Sequence, residues 1–230
     1  VAFFKFITVI KEYWKKLQKK EKSSFRLIQI STDEVYGDIK KGSSTENSKI
    51  FSSSPYSASK SSAEQLLLSF HRTYNLPIII TRSSNNYGPY QFPEKLIPLS
   101  LMNAISEKKI NIYGNGKQIR NWIHVDDHNE GVVKIIKKGK IGNVYNLGSN
   151  NSVTNIQLIF KMCELLDDIF PRKNKKSYKN LINFVEDRPG HDQRYSQSIN
   201  KIKQELKWKP KISLFDGLKR TILWYLENIK

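Results

Sequence analysis

A chain of 230 residues, 38% hydrophobic and 26% charged, can bury a substantial core and is not disordered in composition. Its apolar tracts, such as Pro77 to Ile80 and Leu96 to Met102, are too short to cross a bilayer, and no N-terminal pattern marks a secretory leader. The single cysteine, Cys163, excludes a disulfide framework and any multi-cysteine metal centre; it reads as a buried helix thiol and suits a reducing cytoplasm.

The formal charge of +18 raises the question of a nucleic-acid or anionic-membrane surface. Only 8 of the 39 cationic residues are arginine, the residue suited to bidentate phosphate recognition. The lysines are scattered among Asn, Ile and Ser, a mixture resembling the bias of an AT-rich genome. A solvated basic surface is expected, with no nucleic-acid and no membrane partner, although the charge helps attract an anionic substrate.

Along the chain, Ile10, Tyr13, Trp14 and Leu17 carry helical spacing and predict the end of a helix over Val9 to Leu17. A basic linker, Lys19 to Ser24, leads to an apolar run at Arg26 to Ser31 that reads as a buried strand. Gly37 to Ser54 is polar and Ser-rich, a surface loop. Tyr56 to Tyr74 is helical in pattern, started by Ser54-Pro55. The β-branched run Leu76 to Arg82 follows as a parallel strand, completing a βαβ crossover and predicting an α/β protein.

Further on, Pro93 to Glu107 reads as helix, Ile110 to Tyr113 as a short strand, Asp126 to Lys137 as helix and Asn143 to Leu147 as strand. Ser152 to Phe170 reads as helix, with Thr154 a candidate cap, and Pro171 to Asn180 as a basic loop. Leu214, Leu218, Ile222, Tyr225 and Ile229 form a C-terminal helical stripe.

Two segments carry chemistry. Tyr56 and Lys60 stand four positions apart on one helix, so both side chains share a face. An ammonium beside a phenol favours the phenolate, which predicts a lowered Tyr56 pKa and a group able to move a hydroxyl proton. The second segment, STDEVYGD at 31–38, leaves the first strand at its carboxyl end, where ligands bind in open parallel sheets. Asp33 and Glu34 there can divide acid and base roles if their surroundings separate their pKa values. Taken singly, each segment reads first as ordinary helical surface or a solvated acidic turn.

YxxxK at 56–60 together with STDEVYGD resembles the extended short-chain dehydrogenase/reductase superfamily, specifically its nucleotide-sugar 4,6-dehydratases. The likeness continues through SNNYGPYQFPEKLIP at 84–98, IYGNGKQIRNW at 112–122, VYNLG at 144–148, DRPGHDQRY at 187–195 and GLKRTILWY at 217–225. It covers most of the chain in the family's order. The resemblance implies a Rossmann-type parallel sheet with a smaller mixed α/β substrate-binding domain. It assigns 1–88, continued at about 121–149, to a partial dinucleotide-binding domain, and 89–120 with 150–230 mainly to nucleotide-sugar binding.

The same resemblance implies bound NAD and dehydration of a nucleotide-activated glucose to its 4-keto-6-deoxy form. Tyr56 would accept the 4-hydroxyl proton, Lys60 would lower its pKa and bind the nicotinamide ribose, and Thr32 would hydrogen-bond the 4-oxygen in place of the usual Ser. Glu34 would remove the carbon 5 proton and Asp33 would protonate the departing hydroxyl. Asn85, Lys95, Leu96, Arg120, Asn155, Arg188, His191 and Tyr195 would surround the nucleotide sugar, with Asn86 near the cofactor. A homodimer through the N-terminal helix and the helix at 56–74 is also implied. His71, His124 and His128 have no metal-ligand spacing and are expected to be structural, and Trp122, Trp208 and Trp224 packing anchors.

The family's Gly-rich phosphate turn, GxxGxxG after a strand, does not occur among the 11 glycines. The chain begins at Val1, and Val1 to Thr8 fits the family poorly; together these read as an N-terminal truncation lacking the first strands of the sheet. This chain alone is therefore expected to bind NAD poorly and to turn over little, the complete gene product being the active enzyme. Alternatives stay open: a UDP-glucose 4,6-dehydratase, a related UDP-sugar epimerase or decarboxylase, or an inactive fragment acting as a binding module. Asp33-Glu34 argues against epimerases, which usually lack the pair, and the segment at 188–192 favours the dTDP-sugar enzymes.

Overall fold

The computed structural model describes residues 1–149 and 151–228. Helix α1 (Ala2–Lys16) is followed by α2 (Lys19–Ser24), strand β1 (Leu27–Thr32) and a 3-10 turn (Asp33–Tyr36). Then come α3 (Pro55–Tyr74), β2 (Ile78–Ser83), β3 (Asn85–Tyr87), α4 (Leu96–Ile105), β4 (Ile110–Tyr113) and β5 (Ile119–His124). The remainder runs α5 (Val125–Lys138), β6 (Val144–Leu147), β7 (Ser152–Thr154), α6 (Asn155–Ile169), a 3-10 turn (Tyr178–Leu181), β8 (Ile182–Val185), α7 (Asn200–Leu206) and α8 (Leu214–Asn228). Ile229 lies outside the described residues. The fold is α/β and Rossmann-type, built on a parallel sheet of order β1-β2-β6.

Local chemistry explains the main elements. Ser54 accepts from the Ser57 amide at 3.1 Å and Pro55 opens α3, satisfying one orphan donor where proline lacks one anyway. Thr154 caps α6 through the Gln157 amide at 3.2 Å. β2 is buried at every position, as expected of a strand covered on both faces. On one face Ile78, Ile80, Leu67 and Phe70 pack with Ile7 of α1. On the other, Ile79, Ile135, Tyr145 and Leu147 pack with Ile199, Ile202 and Trp208.

A second cluster gathers Tyr87, Ile97, Leu101, Trp122, Leu158, Met162, Leu218 and Ile222 around β3-β5-β7 and the parallel pair β4-β8. Residues 199–208 thus pack against the β1-β2-β6 sheet rather than with the rest of the C-terminal region.

Several expectations need correction. Lys19–Ser24 is a short helix rather than a linker, because the Glu21 carboxylate accepts from the Gln18 amide at 3.1 Å and completes a capping box. Ser152–Thr154 pairs with β5 as strand β7, so α6 begins at Asn155. α4 is shorter than Pro93 to Glu107, starting only at Leu96. The loop 37–54 is not wholly surface: Ser44 is buried and bridges Gln197. Cys163 is a buried helix thiol, as expected. Among the described residues, no helix is long and apolar enough to cross a membrane.

One buried ion pair spans the first layer. The Arg82 guanidinium donates to both Glu64 oxygens, from Nε at 3.2 and 3.1 Å and from Nη2 at 2.6 Å, with both side chains almost inaccessible. Nη1 donates to the Tyr36 hydroxyl at 2.9 Å, which donates in turn to Asn146 Oδ1 at 2.7 Å. Removing one charge from such a pair leaves the other uncompensated. Glu64→Gln should therefore lower the unfolding free energy by about 3 kcal/mol. Urea denaturation measures it, and a loss within the scatter of surface substitutions would contradict this role.

Candidate active site

The site forms where the chain leaves β1 and β2, beside the start of α3. Parallel pairing aligns Thr32 with Ser83 at the carboxyl ends of β1 and β2, the edge at which open α/β sheets bind ligands. Thr32 Oγ1 accepts from the Glu34 amide at 3.3 Å, tightening the turn that carries Asp33 and Glu34. α3 begins beside them and presents Tyr56 and Lys60 one turn apart.

A cleft of about 620 Å³ brings together Thr32, Asp33, Glu34, Tyr56, Lys60, Asn85, Asn86, Lys95, Arg188, His191 and Tyr195. A second chamber of about 490 Å³ shares Glu34, Asn85, Asn86, Lys95, Arg188 and His191, and adds Leu96, Arg120 and Asn155. Every residue expected at the site therefore lines a hollow made of these two chambers, which share a wall. Sequence reasoning missed Ser31, Ser83, Ser84, Gln91 and Asp192 on its walls, and Asn111 and Tyr113 in the second chamber. For Ser83 and Ser84 the signal was available, since they end a strand at the ligand edge. Asn111 and Tyr113 alternate with buried Ile110 and Ile112 on β4, a period-2 pattern that exposes them together.

His128 and Trp122 also line the hollow, beyond the structural roles expected of them. The His128 ring shares a 2.8 Å hydrogen bond with Ser83 Oγ, while Trp122 remains a core residue as well. Trp208 is a buried packing anchor. His71 binds the Leu76 carbonyl and His124 caps α5, both structural roles.

Burial separates the two acids. Asp33 is 3% exposed, and its carboxyl is pushed up to about 8, chiefly by desolvation and then by the Glu34 charge. Glu34 is also raised by desolvation, but Arg120 and Arg188 oppose the shift. Arg120 is itself fixed: Nη2 donates to the Asp192 carbonyl at 2.8 Å and its guanidinium lies 4.3 Å from the Tyr195 ring centroid.

Tyr56 overturns one expectation. Its pKa is raised, not lowered, first by burial, then by Glu34, with the Thr32 side chain pulling the other way and Asp33 adding to the rise. The Lys60 ammonium is directed at the Ile30 carbonyl, to which it donates at 2.7 Å. Helical spacing alone put the two side chains on one face, but burial and then the neighbouring acids set the Tyr56 shift.

Several buried oxygens in the hollow have no partner within the described chain: Ser31 Oγ, Asp33 Oδ2, Ser84 Oγ, Asn85 Oδ1, Asn86 Oδ1 and Asn155 Oδ1. Buried polar atoms are normally hydrogen-bonded, so this set suits a ligand rich in hydroxyl and amide groups. No group of His, Cys, Asp and Glu among the described residues has the arrangement of a metal site.

The raised carboxyl has a measurable consequence. From about 3.8 to about 8 the folded state holds a proton on Asp33 that the unfolded chain has lost. Stability therefore falls as pH rises through that window. Asp33→Asn removes this slope and should gain on the wild type progressively toward the alkaline end. Unfolding curves at matched pH values test it, and a constant difference across the range would refute the shift.

Comparisons with known proteins follow the same lines. The family model described as GDP-mannose 4,6 dehydratase matches residues 1–221. The dTDP-glucose 4,6-dehydratase of Haemophilus influenzae is 47% identical over 232 residues, 99% of this chain and 69% of that protein. Its counterpart in Salmonella typhimurium is 45% identical over 238 residues, 99% of this chain and 65% of the relative. The chain thus spans about two thirds of the length of these relatives.

Among solved structures, the dTDP-glucose 4,6-dehydratase of Bacillus anthracis in complex with NAD superposes with a TM-score of 0.82 at 44% identity, covering 90% of this chain and 64% of that one. A UDP-glucuronic acid 4-epimerase of Bacillus cereus, with UDP-glucuronic acid and NAD, gives 0.78 at 29% identity, covering 88% and 62%. With the family model spanning nearly all of its length and its acid pair, tyrosine and lysine meeting in one cleft, the chain belongs to the GDP-mannose 4,6 dehydratase family, together with the dTDP-glucose 4,6-dehydratases.

Proposed function

We propose that this chain carries the catalytic centre of a lyase that dehydrates dTDP-glucose to its 4-keto-6-deoxy derivative with NAD as bound cofactor. The observation that supports it best is the unequal acid pair facing Tyr56 and Lys60 in one hollow. Elimination of water needs an acid and a base at neighbouring carbons, whereas epimerisation at carbon 4 needs neither.

NAD, when bound, would supply positive charge and the two-electron redox chemistry that oxidation at carbon 4 and reduction at carbon 6 require. Lys60 would hold its nicotinamide ribose and Asn86 would lie near it, with the unpartnered oxygens of Asn86, Ser84 and Ser31 available on that wall. Thr32 orients the 4-oxygen and Tyr56 receives its proton. The carbon 5 proton, acidified by the new ketone, goes to Glu34, which Arg120 and Arg188 favour as carboxylate. Asp33, still protonated at neutral pH, gives its proton to the departing 6-hydroxyl, which leaves as water, and Glu34 returns a proton to carbon 5 once carbon 6 has been reduced. Arg120 and Arg188 suit the pyrophosphate as planar multi-donor cations, with Asn85, Lys95, Leu96, Asn155, His191 and Tyr195 around the rest of the nucleotide sugar.

The hydrophobic clusters support a division into a dinucleotide part, 1–88 with 121–149, and a nucleotide-sugar part, 89–120 with 150–230, with Tyr87 and Trp122 packing in the cluster of the latter. Residues 199–208 are exchanged onto the former. No Gly-rich phosphate turn occurs in these 230 residues, so this chain by itself should hold NAD weakly; stoichiometric NAD in the purified chain would contradict that. A cytoplasmic location accords with the lone buried thiol.

A homodimer accords with the outer face of α1, where Phe4, Phe6, Val9 and Tyr13 are exposed beside α3. Val9→Glu should then shift the sedimentation coefficient toward the monomer, and an unchanged monomeric value in both proteins would exclude this face.

The protein, incubated with saturating NAD and separately with dTDP-glucose and UDP-glucose, should yield the 4-keto-6-deoxy sugar preferentially from the former. Preference for UDP-glucose would favour the UDP-sugar reading, and no product from either would sink both. Glu34→Gln should lower product formation by about 100-fold or more and abolish solvent-deuterium entry at carbon 5. Undiminished exchange would remove Glu34 from the mechanism.

A further inference from the structure

Asp187 lies in the segment that carries Arg188, His191 and Tyr195 to the cleft, yet it does not line either chamber. Its Oδ1 accepts from His191 Nδ1 at 2.7 Å and from the Arg188 amide at 2.9 Å. Its Oδ2 accepts from Gln118 Nε2 at 2.9 Å, and Gln118 is buried. The carboxylate is thus gripped from two sides, by its own loop and by the turn between β4 and β5.

That turn is shaped to admit it. Gly114 has φ +58, and a Cβ there would stand 2.6 Å from Asp187 Oδ2 and 3.1 Å from Asp187 Cβ. Parallel pairing of Tyr113 with Val185 brings the two segments together, and the Gly114 amide donates to the Val185 carbonyl at 2.9 Å. Only a glycine both adopts this backbone conformation without strain and leaves room for the carboxylate.

The ring Asp187 holds is almost enclosed, with 5% of the His191 side chain exposed. A carboxylate on Nδ1 fixes both the ring plane and the tautomer, leaving Nε2 as the nitrogen open to a ligand. Among the groups facing His191, Arg188 and Arg120 disfavour a charged ring, as burial does, and Asp187 favours it. An anion arriving at Nε2 would complete a carboxylate–imidazolium–anion series.

We propose that Asp187 is a positioning residue for the diphosphate of the nucleotide ligand, holding His191 through Nδ1 so that the ring, taking up a proton from solvent as the anion arrives, donates to it from Nε2, with Gly114 as the seat that makes this possible. The proposal rests on the nucleotide-sugar reading given above.

The test titrates the 230-residue chain with dTDP by calorimetry and reads the four histidines by long-range proton–nitrogen NMR, with His191→Asn assigning the signal. Asp187→Ala should weaken binding about tenfold, the value of one charge-assisted hydrogen bond, and release His191 from its Nδ1-protonated form. Gly114→Ala should do the same from the opposite side, and the double variant should bind no worse than Asp187→Ala. Wild-type affinity in Asp187→Ala, or lost affinity with an unchanged His191 spectrum, would overturn the proposal. Failure of the wild-type chain to bind dTDP would count against the nucleotide-sugar reading and against a diphosphate role for Asp187. An unchanged His191 spectrum in Asp187→Ala would then separately refute the hold on Nδ1.

Discussion

The buried Glu64–Arg82 pair is the joint on which the rest of the cleft is hung. Glu64 follows Lys60 by one helical turn on α3, and Arg82 precedes Ser83 at the end of β2. Through Tyr36 the same guanidinium reaches the turn bearing Asp33 and Glu34. One ion pair thus fixes the helix with the phenol and ammonium against both strand ends. A pair buried this deeply returns little net stability compared with well-packed apolar residues. Its effect is geometric: bidentate geometry permits one placement of α3 along β2, where an apolar contact would tolerate sliding.

The electrostatics of the hollow run against the chain's overall charge. At +18 the surface is strongly basic, yet the two carboxyl groups of the turn at the bottom of the hollow are both raised by burial. Their separation comes from depth. Asp33 sits deeper and keeps its proton, while Glu34 faces Arg120 and Arg188. Identical chemistry in adjacent positions acquires unequal proton affinities because desolvation acts on one more than on the other. Burial, and after it the Glu34 charge, raises the Tyr56 phenol as well.

Some of this was legible in the order of residues. The Ser54-Pro55 start of α3, the Thr154 cap of α6, the strands at β1, β2, β4 and β6, and the shared face of Tyr56 and Lys60 all follow from local rules that act within a few residues. The family likeness gathered Arg120, Asn155, Arg188 and Tyr195 into one expected site despite their separation, and all of them line the hollow. Other elements escaped because no local pattern marks them. β5 carries Arg120, Asn121 and His124 among its buried residues, a polar composition that becomes a strand only by pairing with β3 and β7. α7 is rich in lysine and is fixed by packing Ile202 and Leu206 beneath the sheet.

What the amino-acid order determined by itself is the inventory: which helices start where, which strands are apolar, and that a phenol, an ammonium and two acids lie near strand and helix ends. Only the tertiary structure decided their charge states and partners. It raised Tyr56 where spacing alone predicted a lowered pKa, turned Lys60 toward the Ile30 carbonyl, and set Asp187 against Gly114. Helix caps and periodicity are properties of neighbours in sequence, whereas burial and Coulomb interaction depend on distances that exist only once remote segments have packed.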